Sequence, residues 1–166
     1  MMKIQSKGIA NKSASGEILD VFFSHIFFEE KQIINNIPDL KKGYQKIIEI
    51  NWGQKDLDRK IESVIDAYLK LHLLSHKLVL PNSINLDGLF SNLPNIVWTN
   101  QGPISIEEIE NKLNESKMNK NDLYIRSIDK FPCLTDYIIP KNVRIADARR
   151  VRLGAYLGEG TTIMHE

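Results

Sequence analysis

A chain of 166 residues has the size of one domain, or of one domain and a fragment, and can bury roughly two thirds of its unfolded surface. Twenty-two Lys and Arg stand against twenty-one Asp and Glu, so a formal charge of +1 gives no global field that would draw the chain to nucleic acid or to an anionic membrane. Cys133 is the only cysteine, which excludes an internal disulfide framework and fits a reducing compartment; apolar runs are short and MMKIQSKGIANKS lacks a signal peptide's core and cleavage site, so a cytoplasmic protein is expected.

The first fifty residues read as strands and turns. GEILDVFF is a glycine-led, β-branched and aromatic run preceded by the turn-forming KSAS, and IQSKGIA before it is placed to pair with it as a hairpin. KIIEI, residues 46–50, makes another strand, and the polar stretch EEKQIINNIPDLKKG between them, broken by Pro38 and Gly43, reads as a connection or a short helix. Asp56 opens the clearest helix, because Leu57, Ile61, Val64, Ile65, Tyr68, Leu71 and Leu74 recur at spacings of three and four until Pro81 forbids continuation. That helix should cover one face of the sheet. NIVWT is a buried strand followed by the turn NQGP, and Ser105 with Glu108 has the spacing of a capping box ahead of IEEIENKL, predicting a second helix to about Met118. Asn119 to Asp122 is a turn, and LYIRSI returns as a strand. Residues 1–130 thus read as an α/β domain, and 131–138 as a connection.

From Ile139 the rule changes. Ile139, Ile145, Val151, Leu157 and Ile163 fall six apart, and Ala148, Gly154 and Gly160 occupy a second six-residue register. A period of six describes a short strand and a bend with one aliphatic side chain pointing inward per face, and three such faces make one coil of a parallel β-helix. Residues 139–166 hold about one and a half coils. Each coil buries its interior against the next, so the end of the chain is expected to be ragged or aggregation-prone unless more chain or a partner covers it. An edge strand pair, RIADARRVRLGAYL followed by a glycine turn, is the other reading of the same residues.

DAYLKLHLLSHKLVLP, NLDGLFSNLPNIVWTNQGP, DKFPCLTDYIIP and VRIADARRVRLGAYLGEGTTIMHE resemble, in order and spacing, the tetrahydrodipicolinate N-succinyltransferases of actinobacteria and epsilon-proteobacteria. The resemblance runs from about Asp66 to Glu166 and is looser over the first sixty residues. It implies an α/β fold class in which the smaller α/β domain precedes a left-handed parallel β-helix; the handedness comes from the family, since ordinary parallel crossovers favour the opposite hand. It also implies transfer of a succinyl group from succinyl-CoA to the amino group of ring-opened tetrahydrodipicolinate in lysine and diaminopimelate synthesis, by homotrimers whose small-molecule substrates lie in clefts between neighbouring β-helices. Two ligands held side by side on rigid coils gain proximity, and the thioester needs a donor for its developing oxyanion. In the family the MHE string continues into further coils, one of which carries the glutamate proposed as catalytic. This chain therefore resembles the N-terminal portion, with no catalytic residue before its end at residue 166, and is not expected to turn over substrate alone. A noncatalytic trimerisation or binding module that uses the hexads as scaffold is the alternative.

The resemblance also assigns candidate sites. Glu166 matches a position described as a magnesium ligand near the trimer axis, and a carboxylate suits that hard cation. The companion aspartate of the family corresponds to Arg149, which cannot ligate a metal; Asp147, expected on the same face as Arg149, is the carboxylate available instead. Arg144, Arg149, Arg150 and Arg152 form the densest basic cluster, and alternation turns Arg150 and Arg152 outward together, either as a positive rim for acceptor carboxylates or CoA phosphates or as a solvated and intersubunit-pairing surface. His72 and His76 share a helix face at metal-ligand spacing, yet no third ligand is evident, so they read as helix surface or satisfied core histidines. His165 carries no assigned role. Trp52 and Trp98 read as core or interface aromatics, and Cys133 as an inert buried thiol.

Overall fold

The computed structural model describes residues 1–37 and 43–166. Four strands, β1 (Ile4–Lys12), β2 (Ile18–Phe28), β3 (Lys31–Ile34) and β4 (Gln45–Trp52), form an antiparallel sheet in the order β3-β2-β1-β4. The expected hairpin is β1–β2, and the KIIEI strand pairs along the free edge of β1, with Ile4 opposite Trp52. The expectation of a connection or short helix after Phe28 is corrected in its first half. Glu29 adopts a left-handed φ of 53°, so the chain reverses and Lys31–Ile34 pairs with β2; the rest of that expectation, residues 38–42, lies outside the described residues.

The single helix predicted from Asp56 to Pro81 is two helices, α1 (Gln54–Asp58) and α2 (Val64–Ser75). Local polar chemistry breaks it. Ser63 is extended and caps α2 by accepting from the Asp66 amide, while Asp66 takes a bidentate contact from Arg59 at 2.8 and 3.0 Å and a bond from the Glu62 amide. Lys70, fully buried, donates from Nζ to the carbonyls of Leu57, Arg59 and Asn85 at 3.2, 2.6 and 2.7 Å, fixing the extended segment beneath α2. Proline does not end this helix. Lys77, at φ 59°, donates to Leu74 O while Leu78 donates to Leu73 O, the paired bonds of a left-handed cap.

After α3 (Leu89–Asn92), β5 (Ile96–Thr99) stands between β6 (Gly102–Ser105) and β7 (Ile125–Asp129) in a second, antiparallel sheet. All four β5 residues are buried. Val97 packs with Ile104 and Ile109 of α4 (Ile109–Asn119), while Trp98 faces the main core. Ser105 and Glu108 do pair, but by side chains at 2.7 Å, and the helix begins after Glu108 instead of at Ile106. The main core lies between β2 and α2 and continues through Leu134, Ile138, Val151 and Leu153, so the connection and the tail share it. No helix among the described residues is long and apolar enough to cross a membrane.

Candidate functional site

The hexad segment contains two short strands, β8 (Arg144–Ile145) and β9 (Thr162–Ile163), paired parallel with Arg144 opposite Thr162 and Ile145 opposite Ile163. The offset is eighteen residues, three six-residue steps. Arg144 N donates to Thr161 O and Ala146 N to Ile163 O, both at 2.9 Å, and Gly160 N closes the next rung on Asn142 O at 2.8 Å. The edge strand pair is not formed: the partner of Arg144–Ile145 is Thr162–Ile163, and residues 151–153 bond instead to Pro132 and Leu134.

The inward register is kept at Val151 and, partly, at Ile145, Leu157 and Ile163, but it slips at its first member. Ile138 is buried and Ile139 is 80% exposed, because the short helical turn Leu134–Asp136 directs Ile138 onto the core. Ser75 Oγ ties the coil to α2, donating to Ala155 O at 3.0 Å and accepting from Gly154 N at 2.8 Å.

Arg150 and Arg152 are exposed on either side of the buried Val151, but strand alternation does not place them: Arg150 ends a short helical turn, Ala148–Arg150, that Asp147 caps by accepting from the Arg149 amide. Arg150 donates to Met164 O at 3.1 Å, while Arg152 pairs with Asp129 at 2.8 Å and lies over the Phe131 ring at 4.9 Å. Arg149 curls back on Asp147 at 3.1 and 2.9 Å, which holds that carboxyl below its ordinary pKa and occupies both its oxygens. Glu166 is exposed beside His165, 3.9 Å away. Among the described residues no group of three His, Cys, Asp or Glu is arranged to hold a metal ion.

Of the two helix histidines His72 belongs to the core, while His76, the C-cap of α2, is half-buried with its Nε2 unpartnered. His72 donates from Nδ1 to Tyr68 O at 2.6 Å and accepts at Nε2 from the Phe23 amide at 3.2 Å, so the neutral ring serves both bonds, and burial pushes its pKa down to about 3. His76 is lowered to about 4 by the same cause. Trp52 and Trp98 are buried. Cys133 is half-buried, and burial raises its thiol pKa. What the sequence did not reveal is a second polar cluster: Asp20, 4% exposed on β2, accepts from Asn11 Nδ2 at 2.7 Å and from Tyr137 Oη at 2.5 Å. Asp20 breaks the apolar run ILDVFF, which was a signal; its partner Tyr137 is far away in sequence.

Comparison with known proteins gives the site its context. Residues 93–132 match the family model described as tetrahydrodipicolinate N-succinyltransferase, middle. Over 109 residues, 66% of the chain, it is 54% identical to the 2,3,4,5-tetrahydropyridine-2,6-dicarboxylate N-succinyltransferase of Pseudomonas putida, and over 106 residues it is 52% identical to the enzyme of that name from Salinispora tropica. The chain spans about a third of the length of these curated relatives, 32% and 33%. The crystal structure of a putative 2,3,4,5-tetrahydropyridine-2-carboxylate N-succinyltransferase from Campylobacter jejuni superposes on 98% of the chain and 56% of its own, with a TM-score of 0.77 and 26% identity, so the likeness reaches the first sixty residues as well. Across about two thirds of its length, the chain is therefore a relative of the tetrahydrodipicolinate N-succinyltransferases.

Proposed function

We propose that the chain is the N-terminal portion of a cytoplasmic enzyme that transfers succinyl from succinyl-CoA to tetrahydrodipicolinate in lysine and diaminopimelate synthesis. The observation that carries this reading is the parallel pairing of Arg144–Ile145 with Thr162–Ile163 at an offset of eighteen residues, in a chain about half identical to transferases of that name. Residues 1–130 are the α/β domain, 131–138 the connection, and 139–166 the first turn of a left-handed parallel β-helix that trimerises through its longer remainder. Half-covered apolar side chains support further coils: Phe131, Leu157 and Ile163 line an open groove beside the first turn, together with the buried Leu71, Leu74 and Val151. The noncatalytic alternative draws no support from relatives that are named as transferases.

Within this reading Arg150 and Arg152 form the positive rim for acceptor carboxylates or CoA phosphates. Both are exposed beside Val151; Arg150 is held by one backbone carbonyl, Met164 O, and Arg152, paired with Asp129, would exchange that carboxylate for the ligand's. Glu166 is this chain's contribution to the magnesium position. With Asp147 held by Arg149, the described residues do not by themselves make a metal site, and no step is routed through one.

The test is thiol release from succinyl-CoA by the product of the complete gene. Release that depends on tetrahydrodipicolinate and weakens when Arg150 and Arg152 are both changed to Ala is expected. A folded trimer that releases no thiol would overturn the proposal.

A further inference from the structure

The two sheets do not meet everywhere. Between the β1–β2 part of the first sheet and the β5–β6–β7 sheet lies an open cleft of about 560 Å³, lined among others by Asp20, Phe22, Trp98, Tyr124 and Asp136. Asp136 is already served, since Arg126 clasps it at 3.0 and 2.9 Å. Asp20 is not. Its two partners, Asn11 and Tyr137, are neutral donors, and Asn11 in turn accepts from Gln45 Nε2 at 3.1 Å.

Asp66 shows what is missing. Both aspartates are buried, but Asp66 has the Arg59 guanidinium on its two oxygens, whereas Asp20 makes no ion pair among the described residues. A buried carboxylate without a counter-cation is costly, and here burial, with the like charge of Asp136, raises its pKa against the pull of Tyr137 and of the side chain and backbone amide of Asn11. A carboxylate offers about four acceptor positions, of which the Asn11 side chain, the Asn11 backbone amide and Tyr137 take three, so one remains for a further donor. The aromatic walls add surfaces that attract cations and cover alkyl stems.

We propose that this cleft binds a small organic cation, a primary ammonium or guanidinium on an aliphatic stem, with its head group on Asp20 and its stem between Phe22 and Tyr124. Arg126 does not compete for that place, because Asp136 holds it. The site uses none of the hexad residues and stands apart from the acyl-transfer reading.

Trp98 borders the cleft and donates its indole Nε1–H to Asp129 O, so its indole resonance reports on occupancy. The chain is titrated at neutral pH with n-butylammonium, n-butylguanidinium and n-butanol. Both cations should shift the Trp98 resonance saturably and butanol should not. Asp20→Asn, which keeps an acceptor for Tyr137, should weaken the cations about tenfold or more while far-ultraviolet circular dichroism is unchanged. No saturable response to either cation, an equal response to butanol, or undiminished affinity in folded D20N overturns the proposal. Should D20N not fold, the contrast between butylammonium and butanol on the wild-type chain decides alone.

Discussion

Helix α2 and the hexad tail are joined by the same serine, yet they are finished to different degrees. From Asp66 to Ser75 every residue of α2 is buried, and its charged and imidazole groups at Asp66, Lys70 and His72 have partners inside the fold. In the tail Val151 and Leu153 are buried, while Ile145, Leu157 and Ile163 are only half covered. Order in α2 comes from deep burial and from polar side chains that, Tyr68 Oη apart, find partners inside the fold, whereas order in the tail comes from a few backbone rungs and one docked edge. Perturbing side chains should therefore unfold the first region globally, and perturbing backbone geometry should loosen the second locally.

The sharpest break of that contrast is Lys70→Met. Methionine fills much the same volume, but three carbonyls lose their donor at once, and each unsatisfied buried acceptor costs roughly 1–3 kcal/mol. A net loss of about 4 kcal/mol is expected after the relief of the buried charge, read as a lower urea midpoint with an unchanged slope. An unchanged midpoint would mean that the extended segment before α2 is held by Asp66 and Arg59 alone.

Acid should act on the same region with the next largest effect. The folded-state pKa of His72 lies at about 3, below the ordinary 6.5, so the unfolded chain takes up a proton that the folded chain refuses. Stability from this group is complete above pH 6.5 and drains as pH falls toward 3, by about 3 kcal/mol at pH 4. Asp20 runs the other way: its pKa is raised on folding, so its contribution is present at low pH and lost as pH rises through the folded value. Urea midpoints that fall from pH 7 to 4, with the His72 ring unprotonated by NMR in the folded state, are expected. A His72 ring that titrates near 6.5 without unfolding would place it in water.

These side chains also mark where the sequence was readable. Strands β1, β2, β4, β5 and β7 and helix α4 were legible because β-branched runs, turn residues and three-four spacing are local signals. The six-residue register was legible from Ile145 onward, whereas the helical turn Ala148–Arg150 was not, although Arg150 and Arg152 are exposed. The break between α1 and α2 was not, because the apolar spacing runs straight through it and what interrupts the helix is Asp66 collecting Arg59, Glu62 and Ser63. Periodicity reports which face is apolar, and is blind to a carboxylate that prefers amides to solvent. Nor could spacing foresee that Asp20 meets Tyr137, a contact between residues 117 positions apart.

Within the tail, Gly154→Ala tests the docked edge. Gly154 has φ 106°, and an added Cβ would stand 2.5 Å from Leu71 Cδ2, on a side chain that is itself 3% exposed. Backbone strain and the displaced leucine together should cost about 2 kcal/mol. Leu71→Ala in the same chain should return the steric part of that cost, so the two changes should be less damaging together than their sum. Strict additivity would mean that the tail does not lean on α2 at this point.

The smallest effect should come from Gly160, where the coil meets nothing. Its φ is 81° and no atom lies within 4 Å of an added Cβ, so Gly160→Ala carries the conformational cost alone, about 1 kcal/mol. Gly160→Asn should recover part of this, since asparagine tolerates the left-handed region better than alanine. Because Gly160 N holds the rung to Asn142 O next to the bonds of Arg144 N and Ala146 N, the loss should surface as faster hydrogen exchange at the Arg144 and Ala146 amides. Exchange at the Phe23 amide, which His72 protects within the main core, should not change. Acceleration at both places would mean that the first turn of the coil and the α2 core open as one unit, and the difference between the two regions would then be one of burial only.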